Sequence, residues 1–278
     1  MPRYPCLQML DGNQAGQVYQ IQQSSLNLGR APECDWQILD SSVSGLHARL
    51  QITAEGAELQ DLQSTNGTFL EGESCSQPRL MKPGDIFCLG HAIHFRFSML
   101  TQREIGLAQA LYQNATRDGL TGLLNRPSFF AHAEQEMAMF LRSGKSFGFL
   151  LMDLDHFKRV NDTFGHPTGD ELLRQVAQVL RTDLRLEDVL GRYGGEEFCC
   201  LVRAADALTT MEVAERLRRV VGQVGIEVPG KESPYRPTIS IGLSCPRSQE
   251  TLSQLVDRAD QALYEAKESG RNRSVLLP

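Results

Sequence analysis

The sequence predicts a two-domain protein: an N-terminal all-β sandwich and a C-terminal α/β domain with a mixed sheet, joined by a helix. The chain has 278 residues, which is long for one hydrophobic core. Up to about residue 98, short segments alternate apolar and polar residues and are separated by glycines. After residue 117, long helical patterns alternate with apolar strands, as in α/β domains.

The first domain is predicted to span residues 1–98. Period-two alternation marks strands at 18–21, 47–52, 58–62 and 93–97. Residues 99–116 then change to an amphipathic helix, with the apolar positions Ile105, Ala108, Tyr112 and Ala115 at steps of three and four. Two interpretations of this helix stay open: a spacer packed on its own domain, or a signalling helix that sets the geometry between domains.

The second domain is predicted to span residues 117–278. Its first helix begins at Asn125-Arg126-Pro127, with proline in the first turn, and runs to about Arg142. The remaining predicted elements are a strand (146–153), helices (157–163 and 169–182), a hairpin centred on Gly194-Gly195, a helix (206–222), a strand (237–243), a helix (251–268) and a short terminal strand.

The composition is typical of an ordinary globular protein and argues against nucleic-acid-binding and membrane-spanning classes. Apolar residues make up 41% and charged residues 22%, as in ordinary globular proteins, and the formal charge of −6 argues against a general nucleic-acid binder. The seven cysteines show no C-x-x-C pair and are expected to be reduced thiols. No apolar run approaches the roughly 20 residues that span a bilayer, and the N-terminus has no signal-like apolar stretch, so we expect a cytoplasmic protein without membrane insertion.

Acidic residues follow two apolar segments of the second domain. The run Phe147–Met152 ends in Asp153, and the sequence RYGGEEF at 192–198 places Glu196 and Glu197 on a glycine turn. If the two segments are neighbouring strands, their acids converge at one end of a sheet. That arrangement suits Mg²⁺ held against nucleotide phosphates.

Three further motifs accompany this hairpin in order: DGLTGLLNR at 118–126, DLDHFKRVNDTFGH at 153–166 continuing to Gly169-Asp170, and ADQALYEAK at 259–267 with GRN at 270–272. Together they resemble the GGDEF family of diguanylate cyclases, over about residues 117–278. The resemblance implies condensation of two GTP into cyclic di-GMP and two pyrophosphates, with Mg²⁺ or Mn²⁺. Because one domain binds one GTP, it also implies a homodimer.

The resemblance assigns the metal and catalytic residues. It implies that Asp153, Glu196 and Glu197 bind the metal ion through their carboxylates and Leu154 through its backbone carbonyl. Glu196 and Glu197 are the implied catalytic residues, and Glu196 is the position proposed in the family to take the proton from the attacking 3′-hydroxyl. We expect Asp155 to support the fold rather than bind the metal.

The resemblance also assigns a GTP site. Asn161 and Asp170 would contact guanine; the alternatives are a helix-end cap for Asn161 and an ordinary helix N-terminal acid for Asp170. Cations would offset the triphosphate charge at Lys158, Lys267 and Arg271. His166 would approach the ribose or guanine, with a structural histidine as the alternative.

A product site is implied just before the hairpin. Arg185 and Asp188 form an R-x-x-D pattern matching the family's inhibitory site for cyclic di-GMP, where Arg stacks on guanine and grips phosphate. Arg216 on the next helix is a weaker candidate for the same site. A surface ion pair is the alternative for Arg185 and Asp188.

The N-terminal motifs resemble a forkhead-associated (FHA) domain over about residues 5–98. The matching sequences are Leu28-Gly29-Arg30, Ser44-Gly45-Leu46-His47 and Ser64–Leu70. The resemblance implies a phosphothreonine-containing protein partner, held by Arg30, Ser44, Thr65 and Asn66. His47 matches a residue that braces the loop, and Gly45 stands where the family usually has Arg, which could weaken phosphate binding.

These motifs together predict a diguanylate cyclase regulated through its FHA domain. Two alternatives stay open: a catalytically inactive receptor for GTP or cyclic di-GMP, and a scaffold whose main role is FHA-mediated assembly.

Overall fold

The computed structural model describes residues 1–12, 14–38, 40, 42–227 and 233–277. The chain divides into two compact units, Met1–Ala115 and Thr116–Pro278, and each is described by itself. Among the described residues, no helix combines the length and the apolar character needed to cross a membrane.

The first unit is a sandwich of two sheets. One sheet has the strand order β2-β1-β11-β10-β7-β8 and the other β4-β3-β5-β6-β9. The strands are β1 (Arg3–Met9), β2 (Val18–Gln20), β3 (Ser25–Gly29), β4 (Trp36–Gln37), β5 (Ala48–Thr53), β6 (Gly56–Asp61), β7 (Thr68–Leu70), β8 (Glu73–Ser74), β9 (Arg79–Met81), β10 (Ile86–Leu89) and β11 (Ile93–Thr101). Their alternating inward residues form the core, in which Trp36 and Phe87 both pack against Phe95.

Helix α1 (Gln102–Thr116) begins later than the sequence predicted. Residues 99 and 100 belong to β11, because they pair with Pro5 and Tyr4 of β1. The helix starts with a reciprocal cap, in which Thr101 and Glu104 each accept the other's backbone N–H. Ile105 is buried against Cys6 of the sandwich, while the opposite face leaves Leu107 and Leu111 each 61% exposed.

The second unit has one mixed sheet with the strand order β13-β14-β12-β15-β16. Its strands are β12 (Phe147–Leu154), β13 (Val189–Gly194), β14 (Glu197–Arg203), β15 (Ile239–Ser244) and β16 (Ser274–Leu276). Its helices are α2 (Arg126–Ser143), α3 (Phe157–Phe164), α4 (His166–Asp183), α5 (Ala207–Val221) and α6 (Leu252–Glu268).

The central strand β12 is buried along its whole length. Its side chains alternate between two cores: Leu150 and Met152 pack with α3, α4 and α5, whereas Phe149 and Leu151 pack with α2 and α6. The predicted elements are all present, most with shifts of one or two residues. Within this unit the largest shift is at α4, which starts at His166 instead of Gly169 because Pro167 is accommodated in its first turn.

Candidate active site

The acids converge at the end of β12, as the sequence predicted. Antiparallel pairing places Asp153 directly opposite Glu197 of β14, and the backbone N–H of Leu154 donates to the carbonyl of Glu196 at 3.3 Å. Asp153 is 8% exposed, whereas Glu196 and Glu197 are half-buried. One buried carboxylate and two more accessible ones therefore share one edge of the sheet.

The glycine turn is held in place by Arg192. Its guanidinium donates twice to the carbonyl of Gly195, at 3.0 and 2.7 Å, and contacts both carboxylate oxygens of Asp118, at 3.0 and 3.1 Å. Gly195 itself has a left-handed φ of 49°, a conformation that favours glycine. Asp118 also accepts two hydrogen bonds from Thr121.

Sequence reasoning assigned no role to Arg192 and Asp118, although both lie in the quoted motifs. Their opposite charges could have predicted the pair, since an Arg precedes the glycine turn and an Asp begins the DGLTG segment. The hydrogen bonds from Thr121 and Arg192 hold the pKa of Asp118 below its usual value despite partial burial. The DGLTG segment is thus fastened to the hairpin that carries Glu196.

Lys267 enters the site from α6. Its ammonium lies 2.8 Å from the carboxylate of Asp153. Burial raises the pKa of Asp153, with Glu196 and Asp155 adding to the rise and Lys267 opposing it. Burial and the neighbouring Asp153 likewise raise the pKa of Glu197. These carboxylates repel one another, and one ammonium does not offset all of their charge.

The donor set suits a hard divalent cation. The candidate ligands are the carboxylates of Asp153, Glu196 and Glu197 and the carbonyl of Leu154, so every donor atom is oxygen. Within the part of the chain that the structure describes, no three acid, histidine or cysteine side chains are already grouped as a metal cage. Mg²⁺ commonly binds through one or two carboxylates, with substrate phosphates completing its shell.

Asn161 and Asp170 lie on the two helices α3 and α4. A Cβ at the buried Gly169 would clash with Oδ1 of Asn161, so the amide of Asn161 packs against the start of α4. Asn161 lies in the last turn of α3, which ends at Phe164. Asp170 is the fifth residue of α4 and so lies beyond the helix's first turn, while the exposed His166 is the first.

Lys158 and Arg271 are both exposed, on the first turn of α3 and on the turn after α6 respectively. Arg271 has a left-handed φ of 61°. The next residue, Asn272, donates its backbone N–H to Asp155 at 3.0 Å. This turn is therefore tied to the end of β12.

Asp155 supports the fold, as expected. Its carboxylate accepts hydrogen bonds from Thr238 and Ser240, both at 2.7 Å, and from the backbone of Asn272. Strand alternation alone would have put Asp155 on the same face as Asp153. It differs because β12 ends at Leu154 and the chain then turns into α3.

The predicted product site forms a compact turn before β13. Asp188 accepts the backbone N–H of Arg185 at 3.1 Å and that of Arg203 at 3.0 Å. The side chains of Arg185 and Asp188, both described, do not form the surface ion pair considered as an alternative. The carboxylate of Asp188 instead accepts the backbone N–H of Arg185, and the Arg185 residue is exposed. Arg216 on α5 instead binds Asp183, through a 2.5 Å ion pair and the backbone carbonyl at 2.9 Å.

The four predicted phosphopeptide residues belong to neighbouring loops of the sandwich. Ser44 joins two loops: its carbonyl accepts the N–H of Arg30 at 2.9 Å and its hydroxyl accepts the N–H of Thr65 at 3.0 Å. The amide of Asn66 donates to the carbonyl of Ser42 at 2.8 Å. Arg30 is exposed, and its Nε donates to the Val43 carbonyl at 3.2 Å.

His47 braces these loops from inside, as predicted. Its Nδ1 accepts the N–H of Ser44 at 2.9 Å, so Nε2 carries the proton that is donated to the carbonyl of Gly67 at 3.0 Å. Burial lowers the pKa of His47, which keeps the ring neutral. At Gly45 a Cβ would meet only the Cβ of Ala31, at 3.8 Å, so the site has room for a side chain there.

A β-sandwich with a polar loop cluster, followed by an α/β domain with acids at the end of its central strand, defines a two-domain FHA–GGDEF architecture. The chain belongs to the GGDEF family: the family model described as "Diguanylate cyclase, GGDEF domain" matches residues 115–273. An FHA domain model matches residues 26–90.

Curated relatives match the second unit. The chain is 40% identical over 161 residues to diguanylate cyclase DgcP of Pseudomonas aeruginosa, covering 58% of this chain and 24% of the relative. It is 38% identical over 170 residues to diguanylate cyclase A of Treponema denticola, covering 60% and 45% respectively. The chain thus spans less than half the length of these relatives.

Solved structures of diguanylate cyclases and GGDEF domains are also similar to this chain. The coiled coil and GGDEF domain of DgcB from Caulobacter crescentus, in complex with cyclic di-GMP, is 30% identical with a TM-score of 0.60, covering 63% of this chain and 93% of that one. Diguanylate cyclase SiaD from Pseudomonas aeruginosa, with its activator SiaC, is 39% identical with a TM-score of 0.57, covering 63% and 67%.

Proposed function

We propose that this protein is a diguanylate cyclase that condenses two GTP into cyclic di-GMP and two pyrophosphates. The observation that carries the proposal is the register of β12 and β14, which sets Asp153 opposite Glu197 beside the Arg192-fastened turn. Carboxylates whose charge is only partly offset by Lys267 are suited to a divalent cation, Mg²⁺ or Mn²⁺. When bound, the ion would offset the charge that develops on the phosphate oxygens during transfer.

Each side chain has a defined task in this proposal. Asn161 and Asp170 hold the guanine edge, and the cations Lys158, Lys267 and Arg271 bind the triphosphate. Lys267 also fixes the orientation of Asp153 through their 2.8 Å contact. His166, exposed at the start of α4, is proposed to contact the ribose or base.

The attacking group is the 3′-hydroxyl of the GTP on a second domain. Glu196 accepts its proton as the oxygen bonds to the α-phosphate, and pyrophosphate leaves in line. One domain has one such site, so the proposed active form is a homodimer. We also propose a cytoplasmic location, where the GTP substrate is available.

Nucleotide analysis tests the proposed activity. Purified protein with GTP and Mg²⁺ should form cyclic di-GMP, measured by chromatography. Glu196→Gln should reduce turnover roughly 10²- to 10⁴-fold, the usual contribution of an acid–base residue. Glu212→Gln, an exposed position on α5, is the matched control and should retain activity. GTP binding without any product would instead indicate the inactive receptor.

We further propose that the product binds at Arg185 and Asp188 and inhibits the enzyme. Asp188 fixes the local turn while each of its oxygens retains a lone pair for a guanine donor. Arg216 can join this site only by leaving Asp183, so we expect it to contribute less. Arg185→Ala should relieve inhibition by added cyclic di-GMP without lowering turnover in its absence.

The proposed role of the first unit is to bind a phosphothreonine-containing protein partner. Arg30 supplies charge, Ser44 and Thr65 supply hydroxyls and Asn66 an amide, which together suit a phosphate dianion and a peptide backbone. Docking would raise the local concentration of cyclase domains and so favour the dimer.

A phosphothreonine peptide array tests this second site. Binding should require phosphate and should be lost in Arg30→Ala. Arg96→Ala removes the same charge from an exposed position on β11 and should bind normally. If the array gives no phosphate-dependent binder, the regulatory proposal is wrong while the cyclase proposal still stands.

A further inference from the structure

A cavity of about 460 Å³ lies beside α3 on the side away from Asn161. Its walls are Asp155, His156 and helix α3 on one side and the segment Ser233–Thr238, which leads into β15, on the other. This volume falls within the range of about 300–1,000 Å³ typical of small-molecule sites. Neither Asn161 nor Asp170 lines it, so it is separate from the proposed guanine contacts.

The cavity carries excess positive charge. Arg159 and Arg236 both line it, and within the described part of the chain the guanidinium of Arg159 makes no hydrogen bond or ion pair. Arg236 uses one nitrogen to donate to the carbonyl of Gln223 at 3.2 Å and keeps its other donors. Asp155 also lines the cavity and offsets one of these two charges. Its carboxylate accepts hydrogen bonds from Thr238, Ser240 and Asn272, and among the described residues it forms no ion pair with either guanidinium.

Aromatic surface lines the same cavity. The rings of Phe164 and Tyr235 lie 6.1 Å apart, and both contribute to the wall. Burial raises the pKa of Tyr235, the positive charge of Arg159 opposes that rise, and Asp155 adds to it. Thr163 adds a hydroxyl. Guanidinium donors beside an aromatic wall suit a ligand that joins an anionic group to a planar ring.

We propose that this cavity is a second ligand site, which takes a small phosphorylated compound with a planar ring, of the nucleoside monophosphate class. Arg159 and Arg236 would bind the phosphate, and the ring would stack against Tyr235. The ligand would also touch Thr238, which hydrogen-bonds Asp155 and thereby belongs to the network that holds the Arg271–Asn272 turn.

Calorimetric titration of the full chain with adenosine 5′-monophosphate, in the absence of GTP, tests the proposal. We expect saturable binding, weaker binding of inorganic phosphate or adenosine alone, and at least a tenfold loss of affinity in Arg159→Ala and in Arg236→Ala. Arg159→Lys keeps the charge but not the planar guanidinium, so its affinity should lie between those of the wild type and Arg159→Ala. Thermal unfolding of each variant checks that the fold is retained.

Lys158→Ala is the matched control, because it removes an exposed cation from the same helix outside the cavity. Its affinity for the probe should equal that of the wild type. Three outcomes would overturn the proposal: no saturable binding of the probe, equal binding by the wild type and both arginine variants, or a loss confined to Lys158→Ala, which would place the probe in the GTP site. None of these results depends on cyclase turnover.

Discussion

The loop cluster of the sandwich and the acidic edge of the α/β unit hold their polar groups in opposite ways. In the sandwich, Ser44, Asn66 and His47 are joined to neighbouring loops by hydrogen bonds before any ligand arrives. At the acidic edge, Asp153 and Glu197 have raised pKa values because they are buried near other carboxylates. The loop cluster is therefore pre-formed. At the acidic edge the carboxylates repel one another, and a bound cation would reduce that repulsion.

The largest expected effect separates activity from stability at the acidic edge. Asp153→Asn should abolish measurable turnover, a loss above roughly 100-fold, because even indirect metal partners are worth about 10–100-fold. It should not lower the melting temperature, since the substitution removes a buried charge of raised pKa. Turnover and thermal unfolding measured on one preparation check this. A melting temperature several degrees lower would show that the carboxylate is structural.

The next effect concerns the fastening of the hairpin. Arg192→Lys keeps the charge but loses the fork that joins Gly195 to Asp118, so Glu196 is misplaced. Turnover should fall roughly 10- to 100-fold while GTP affinity changes little, as expected for misplacement of about 1 Å. Arg219→Lys, on the exposed side of α5, is the control. Unchanged turnover in Arg192→Lys would remove the proposed positioning role.

In the sandwich, the corresponding test is His47. His47→Ala leaves the half-buried N–H of Ser44 without its partner and removes one of the two hydrogen bonds to the carbonyl of Gly67, which still accepts from Gly90. This should cost about 1–3 kcal/mol of unfolding free energy. The sandwich should unfold at a lower denaturant concentration, and its affinity for the phosphothreonine peptide should fall. A variant that unfolds and binds like the wild type would show that the loops do not depend on the brace.

The same residue predicts a pH dependence. Burial lowers the folded-state pKa of His47, so the unfolded chain takes up a proton first as pH falls. The stability that the neutral His47 ring contributes to the folded state is therefore complete above about pH 6.5. It is lost as the pH falls from there through the folded-state pKa. Unfolding curves of wild type and His47→Gln between pH 7 and 5 should converge. Parallel curves would mean that another group controls the acid sensitivity.

The smallest expected effect is a gain. Gly45→Arg restores the cation usual at this position in FHA sequences, and a Cβ there meets only Ala31 at 3.8 Å. Phosphothreonine peptides should bind about threefold more tightly, the effect of one exposed charge–charge contact. Gly45→Gln is the uncharged control. Equal affinities for both variants would show that residue 45 does not contact the phosphate.

The elements of both units could be predicted because their patterns are local. The apolar run Phe147–Met152 and the glycine turn were enough to predict that Asp153 and Glu197 lie together. The pairing of Arg192 with Asp118 was missed because 74 residues separate them and only the folded sheet brings them together. The contact between Lys267 and Asp153 was missed for the same reason, since the sequence predicted only a phosphate-binding role for Lys267.

The account depends on acids from β12 and from the hairpin sharing one divalent cation with the nucleotide. Electron paramagnetic resonance of Mn²⁺, titrated into the protein with a non-hydrolysable GTP analogue, tests this most directly. We predict one tightly bound Mn²⁺ per chain in the wild type, and its loss in both Asp153→Asn and Glu196→Gln. Undiminished Mn²⁺ binding by those two variants would contradict the account.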